Sequence, residues 1–93
     1  MRTRTVVEDH SVTLIVDDAC QRYEWMEDVF KGVTWRLARQ PELGREVPHQ
    51  EHSERFFLFK QDPWPELGMP GILVLYTYSE TEVHLLDAKV LPP

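Results

Sequence analysis

Cysteine is nearly absent from this chain. Cys20 stands alone among 93 residues, so neither an intrachain disulfide nor a cysteine-based zinc site can form within it. A reducing, cytoplasmic setting is the simplest expectation for such a chain. No apolar run approaches the roughly 18 residues that a membrane-spanning helix needs. Met1-Arg2-Thr3-Arg4-Thr5 leads into Glu8-Asp9-His10 without the apolar stretch of an export signal. Positive charge is also scarce. Ten Lys and Arg face sixteen Asp and Glu, a formal net charge of −6, which argues against a general nucleic-acid binder. Glycine-rich phosphate loops, CxxC, HExxH and nucleophile-elbow motifs do not occur.

What the chain does have is core. Its apolar fraction is 42%, with three Trp, three Tyr and four Phe, enough for one domain spanning 1–93 without a metal or staple. Residues 1–4 and 91–93 are expected to be loosely ordered ends. The seven prolines punctuate rather than dominate, clustering in 41–48, 63–70 and the terminal pair. Charge is unevenly spread. Residues 31–60 carry six basic groups (Lys31, Arg36, Arg39, Arg45, Arg55, Lys60) against four acidic ones, while acids prevail on both sides. A phosphate ligand would meet that middle third; the plainer reading is a mildly basic solvated face.

Val12-Thr13-Leu14-Ile15-Val16 is apolar and largely β-branched, which predicts a central strand. Thr5-Val6-Val7 would pair with it through a turn or continue it through a bulge. Asp17 or Asp18 offers an N-cap. Ala19, Tyr23, Met26, Phe30, Val33 and Leu37 then recur at helical spacing. The predicted helix over 18–39 is a rod of about 33 Å, with Gly32 marking a kink or a close contact, and Pro41 stops it. Residues 41–54 read as polar turns. Arg55–Lys60 reads as a strand, 62–71 as a Pro/Gly loop, and Ile72–Tyr78 with Val83–Val90 as an antiparallel hairpin. The fold class is therefore α+β: a small, mostly antiparallel sheet with one long helical segment packed on one face. Strand 72–78 is apolar on both sides, leaving a face to be covered by the 61–71 loop, a partner subunit or a ligand.

The segments Leu37-Ala38-Arg39-Gln40-Pro41-Glu42-Leu43-Gly44-Arg45, Arg55–Phe59, Ile72–Tyr78 and Glu82–Val90 together resemble the RelE/ParE superfamily of toxins from bacterial toxin–antitoxin pairs. That resemblance implies an N-terminal strand, a helical section and a terminal antiparallel unit of three strands. It implies a cytoplasmic protein neutralised by an antitoxin, acting either as a ribosome-dependent mRNA endonuclease or against DNA gyrase. Basic residues follow the PELG turn and open the next strand in this family, positions held here by Arg45 and Arg55; Lys60 closes that strand. Many members carry an arginine shortly before the penultimate strand's tyrosine, where this chain has Leu73 or Leu75. A leucine cannot counter the charge of a transition-state phosphate. The expectation is thus a partner-binding, toxin-related protein with weak or absent mRNA cleavage; the alternatives are a non-enzymatic homo-oligomer or adaptor of the same fold, or an active RelE-like mRNA interferase.

Candidate catalytic residues are Arg45, Arg55, Lys60 and Tyr78, the basic groups for phosphate and the tyrosine for stacking or its hydroxyl. Candidate partner-binding residues are Trp64, Tyr76 and Tyr78. Trp64, held between Pro63 and Pro65, would cap the open sheet face or mark a binding edge; the two tyrosines equally suit plain packing. Trp25 and Trp35 lie off the helical stripe, to widen the buried face or make a dimer contact. His49-Gln50-Glu51-His52, with Glu54, offers N and O ligands but no scaffold to converge them, so neither a metal nor a cofactor is expected.

Overall fold

The computed structural model describes residues 3–48 and 54–93. The first strand, β1 (Thr5–Glu8), is followed by helices α1 (His10–Arg22) and α2 (Met26–Arg39) and a 3-10 turn at Pro41–Leu43. Strands β2 (Arg45–Val47), β3 (Phe56–Gln61), β4 (Gly71–Tyr78) and β5 (Glu82–Leu91) complete the chain, with a second 3-10 turn at Pro65–Leu67.

The segment 12–16, expected to be a strand, is the heart of α1. A strand would bury Val12, Leu14 and Val16 together. Instead Val12, Val16 and Ala19 are buried, at steps of four and three, while Leu14 is 55% exposed. The β-branched run fills a helix stripe because packing, not propensity, decides its conformation. The helix starts from Asp9, whose carbonyl accepts the Val12 and Thr13 amides, not from Asp17 or Asp18.

Nor is 18–39 one rod. Tyr23 turns extended (φ −128°, ψ 122°), and α2 begins anew at Met26. Met26, Val29, Val33 and Leu37 form its buried stripe. Glu27 and Asp28 occupy its first turn and Arg36 and Arg39 its last, the arrangement its dipole favours. Gly32 lies inside α2 and marks no close contact: a Cβ there would meet nothing within 4 Å. Trp25 and Trp35, 42% and 58% exposed, do not widen the buried face.

The sheet has five strands in the order β1-β5-β4-β3-β2. Strands β2 to β5 pair antiparallel, and β1 lies parallel to β5, with Val6 beside Val83. A parallel pair needs a crossover, and the two helices supply it. β1 therefore neither pairs with 12–16 nor extends it. The span expected as turns contains β2, which registers Arg45 against Leu58.

Both helices pack on one face of this mixed sheet. Phe57, Phe59, Ile72, Val74, Tyr76, Val83 and Leu85 meet α1 and α2 there. Each large side chain so buried contributes about 1.5–3 kcal/mol. No described helix packs on the face carrying Leu58, Leu73 and Leu75, and its leucines are only partly buried. This reverses the expected sidedness: Tyr76 is fully buried, and Tyr78 packs on Phe57 at 5.1 Å, both away from the open face. The 62–71 loop closes on itself through paired backbone hydrogen bonds between Trp64 and Met69, 2.9 and 3.1 Å.

Candidate functional site

Arg55, just before β3, lies over the Phe57 ring at 5.4 Å and donates two hydrogen bonds to Glu46, at 3.0 and 2.8 Å. That bidentate pairing holds the Glu46 carboxyl below its ordinary pKa and raises the Arg55 guanidinium. Thr77 and Tyr78 close β4 beside it, and the Thr77 hydroxyl donates to the Arg55 carbonyl at 3.0 Å. Across the turn, Ser79 Oγ accepts the Thr81 and Glu82 amides, which tightens the hairpin.

Arg55, Thr77, Tyr78 and Ser79 line a cleft of about 430 Å³ at one end of the sheet, together with Glu54, Phe57, Glu82 and His84. The Arg4 guanidinium sits over the Tyr78 ring at 5.6 Å, and its Nε donates to the Ser79 carbonyl. His84 Nε2 lies 2.7 Å from Asp9 Oδ1, where the parallel register sets Val7 beside His84. His84 registers with Thr77 and Tyr78 with Val83, so the imidazole and the phenol stand on opposite faces of the strand ends that border the cleft. Its electrostatics do not suit a phosphate. Glu54 and Glu82 line the same walls, and Glu46 already engages the arginine.

Of the candidate catalytic residues, Arg55 and Tyr78 come together in this cleft. Arg45 and Lys60 do not join them. Lys60 lies five residues along β3 from Arg55, about 17 Å at ordinary strand rise, and pairs with Asp62 at 3.4 Å. Arg45 projects from β2 opposite Leu58 on the open face. The intended cluster of three bases is therefore split between two places, because strand alternation sends Arg55 to one face and Lys60 to the other.

The open face has an order of its own. One cross-strand row runs Arg45, Leu58, Leu75, Asp87; the next runs Lys60, Leu73, Lys89. Three partly exposed leucines thus have Arg45, Lys60 and Lys89 around them, with Asp87 closing the first row and Asp62 paired to Lys60, on a chain whose net charge is −6.

Trp64 does not cap that face. It stands beside α2, lining a notch of about 330 Å³ with Asp28, Val29, Gly32 and Arg36, and remains 56% exposed. Tyr76 is structural. Its hydroxyl donates to the Pro41 carbonyl at 2.5 Å and accepts the Gly44 amide at 2.9 Å, tying the PELG turn to the sheet. Burial pushes its pKa up to about 12, with the Gly44 hydrogen bond pulling the other way.

Sequence reasoning missed Asp9, His84 and Arg4 as neighbours. No local signal links residues 75 apart, and only the parallel β1–β5 pairing brings them together. Among the described residues, no three His, Cys, Asp or Glu converge as metal ligands; His49, Glu51 and His52 lie outside them. Likewise no described helix is long and apolar enough to cross a membrane. Comparison with protein-family models, curated proteins and solved structures finds no match.

Proposed function

We propose that this chain is a toxin–antitoxin-related protein of the RelE/ParE kind that binds a partner protein on its open sheet face, with weak or absent ribosome-dependent mRNA cleavage. The uncovered Leu58–Leu73–Leu75 patch framed by Arg45, Lys60 and Lys89 carries this reading. Such a surface suits an amphipathic, acidic segment: its apolar residues would cover the leucines and its carboxylates would meet the bases. The order of an N-terminal strand, helices and an antiparallel unit agrees with the architecture that the resemblance implies. Weak catalysis follows from the electrostatics: Arg55 is held by Glu46, Arg45 and Lys60 stand apart from it, and leucines occupy the late strand positions.

Co-expression with the product of a neighbouring small gene, followed by sizing of the complex, tests the binding surface. A stoichiometric complex lost in Leu75→Lys, with the circular dichroism of that variant unchanged, is the expected result. A complex that survives Leu73→Asp and Leu75→Lys together would remove the open face from the account.

A further inference from the structure

β1 covers only the first part of β5. Its pairing ends at Glu8 beside Leu85, after which the chain turns at Asp9 into α1. β5 continues to Leu91, paired on its other side to β4 as far as Gly71. Its outer edge from Leu86 to Val90 therefore has no described strand beside it, and that edge opens at Leu86, the residue the β4–β5 register skips. The Ala88 amide shows which way that edge faces: it is bonded to the neighbouring Asp87 carboxylate, Oδ1 at 2.8 Å, and so is not part of the ladder with β4. A strand residue directs its N–H and C=O to the same side, so Ala88 presents both groups outward.

The sequence along this edge is self-complementary. Leu86-Asp87-Ala88-Lys89-Val90, set antiparallel to a second copy about a two-fold axis through Ala88, places Ala88 against Ala88. Each Asp87 then falls opposite Lys89 of the second copy. Asp87 and Lys89 are both exposed and share the open side of the sheet, since they register against Leu75 and Leu73. The two charge pairs form at once and reciprocally. Shifting the axis one residue back to Asp87 would instead set the two Asp87 carboxylates directly opposite one another, and shifting it forward to Lys89 would do the same to the two ammonium groups. Pro92, without an N–H, ends the ladder beyond Leu91.

Apolar surface flanks the edge. On the helix side, Leu14 and Ile15 border a groove with Ala88 and Val90, and Leu14 is 55% exposed. On the other side Leu73 and Leu75 adjoin Asp87 and Lys89.

We propose that this chain forms a two-fold dimer by antiparallel pairing of the β5 edge, residues 86–90, which joins two sheets into one of ten strands. The edge shares Lys89 with the surface proposed for the partner protein, but self-association of the purified chain alone reads out the edge without that partner.

Sedimentation velocity of the purified chain across a concentration series measures the dimer directly. Ala88→Pro is the central variant. Its lost N–H serves only Asp87 in the monomer, and an edge strand tolerates proline where the N–H faces outward; at the dimer axis it removes the two central hydrogen bonds. A dimer in the wild type and a folded monomer in Ala88→Pro are expected. The charges give a second test that does not depend on proline being accepted. Lys89→Asp sets like charges opposite one another and should weaken association about tenfold or more, and adding Asp87→Lys should restore it. A wild-type chain that stays monomeric at every concentration would overturn the proposal. So would a dimer indifferent to Lys89→Asp and to the double exchange.

Discussion

Replacing Tyr76 by Phe probes how the PELG turn is held to the sheet. The ring would stay, packed 5.7 Å from Phe57, but the hydroxyl that joins Pro41 and Gly44 would go. One backbone carbonyl and one amide would lose their partner in a place that water reaches poorly. Each such orphan costs about 1–3 kcal/mol, so the variant should lose roughly 2–4 kcal/mol in urea denaturation. For a domain of this size the melting temperature should fall by roughly 10–25 °C. The same hydroxyl sets an alkaline limit. With its folded pKa raised from 10.0 to about 12, the native state holds the proton more tightly than the unfolded chain. The associated stability is complete below about pH 10 and is lost as pH rises through about 12, up to roughly 3 kcal/mol in all. Stability measured from pH 9 to 12 should therefore fall more steeply for the wild type than for Tyr76→Phe. A variant that loses less than about 0.5 kcal/mol at neutral pH would refute the bridging role.

Two glycines should respond oppositely to alanine. In Gly71→Ala the new methyl would run into the Gln61 carbonyl and the Pro63 backbone, costing about 1–3 kcal/mol by thermal melting. Gly32→Ala fills open space on an exposed helix turn and should add about 0.5–1 kcal/mol. Trp64→Ala should change stability by no more than about 0.5 kcal/mol, since the loop closes through backbone bonds of Trp64 and not through its indole.

Much of the sheet was legible before any coordinates. Residues 72–78 and 83–90 read as a hairpin because apolar strands bracket a four-residue polar connection, and Pro63, Pro65 and Pro70 marked the loop before them. The helices were harder. The Val12, Val16, Ala19 spacing continues backward the stripe that runs through Tyr23, Met26 and Leu37, yet the β-branched run of 12–16 masked it. The break at Tyr23–Trp25 has no glycine or proline to announce it; it arises where the chain reverses to lay two helices on one sheet. Sidedness was illegible for a similar reason. Both faces of β4 are apolar, and only helix packing shows that Tyr76 lies inside and Leu75 outside. The cleft residues Asp9, Arg4 and His84 depend on a parallel pairing between the two ends of the chain, which no local pattern encodes. Arg55 follows from the resemblance, and Tyr78 from the stacking surface and hydroxyl that a tyrosine offers on a strand. Their neighbour Glu46, which neutralises the arginine, lay in a segment read as turns.

The proposed function is partner binding on the open face with weak or absent mRNA cleavage. Its most direct test is a ribosome-programmed mRNA cleavage assay with the purified chain. Transcripts left intact, or cut only weakly and equally by the wild type and by Arg45→Ala and Arg55→Ala, are the predicted outcome. Reproducible cuts abolished by each of those two substitutions would contradict it and restore these arginines to a catalytic centre.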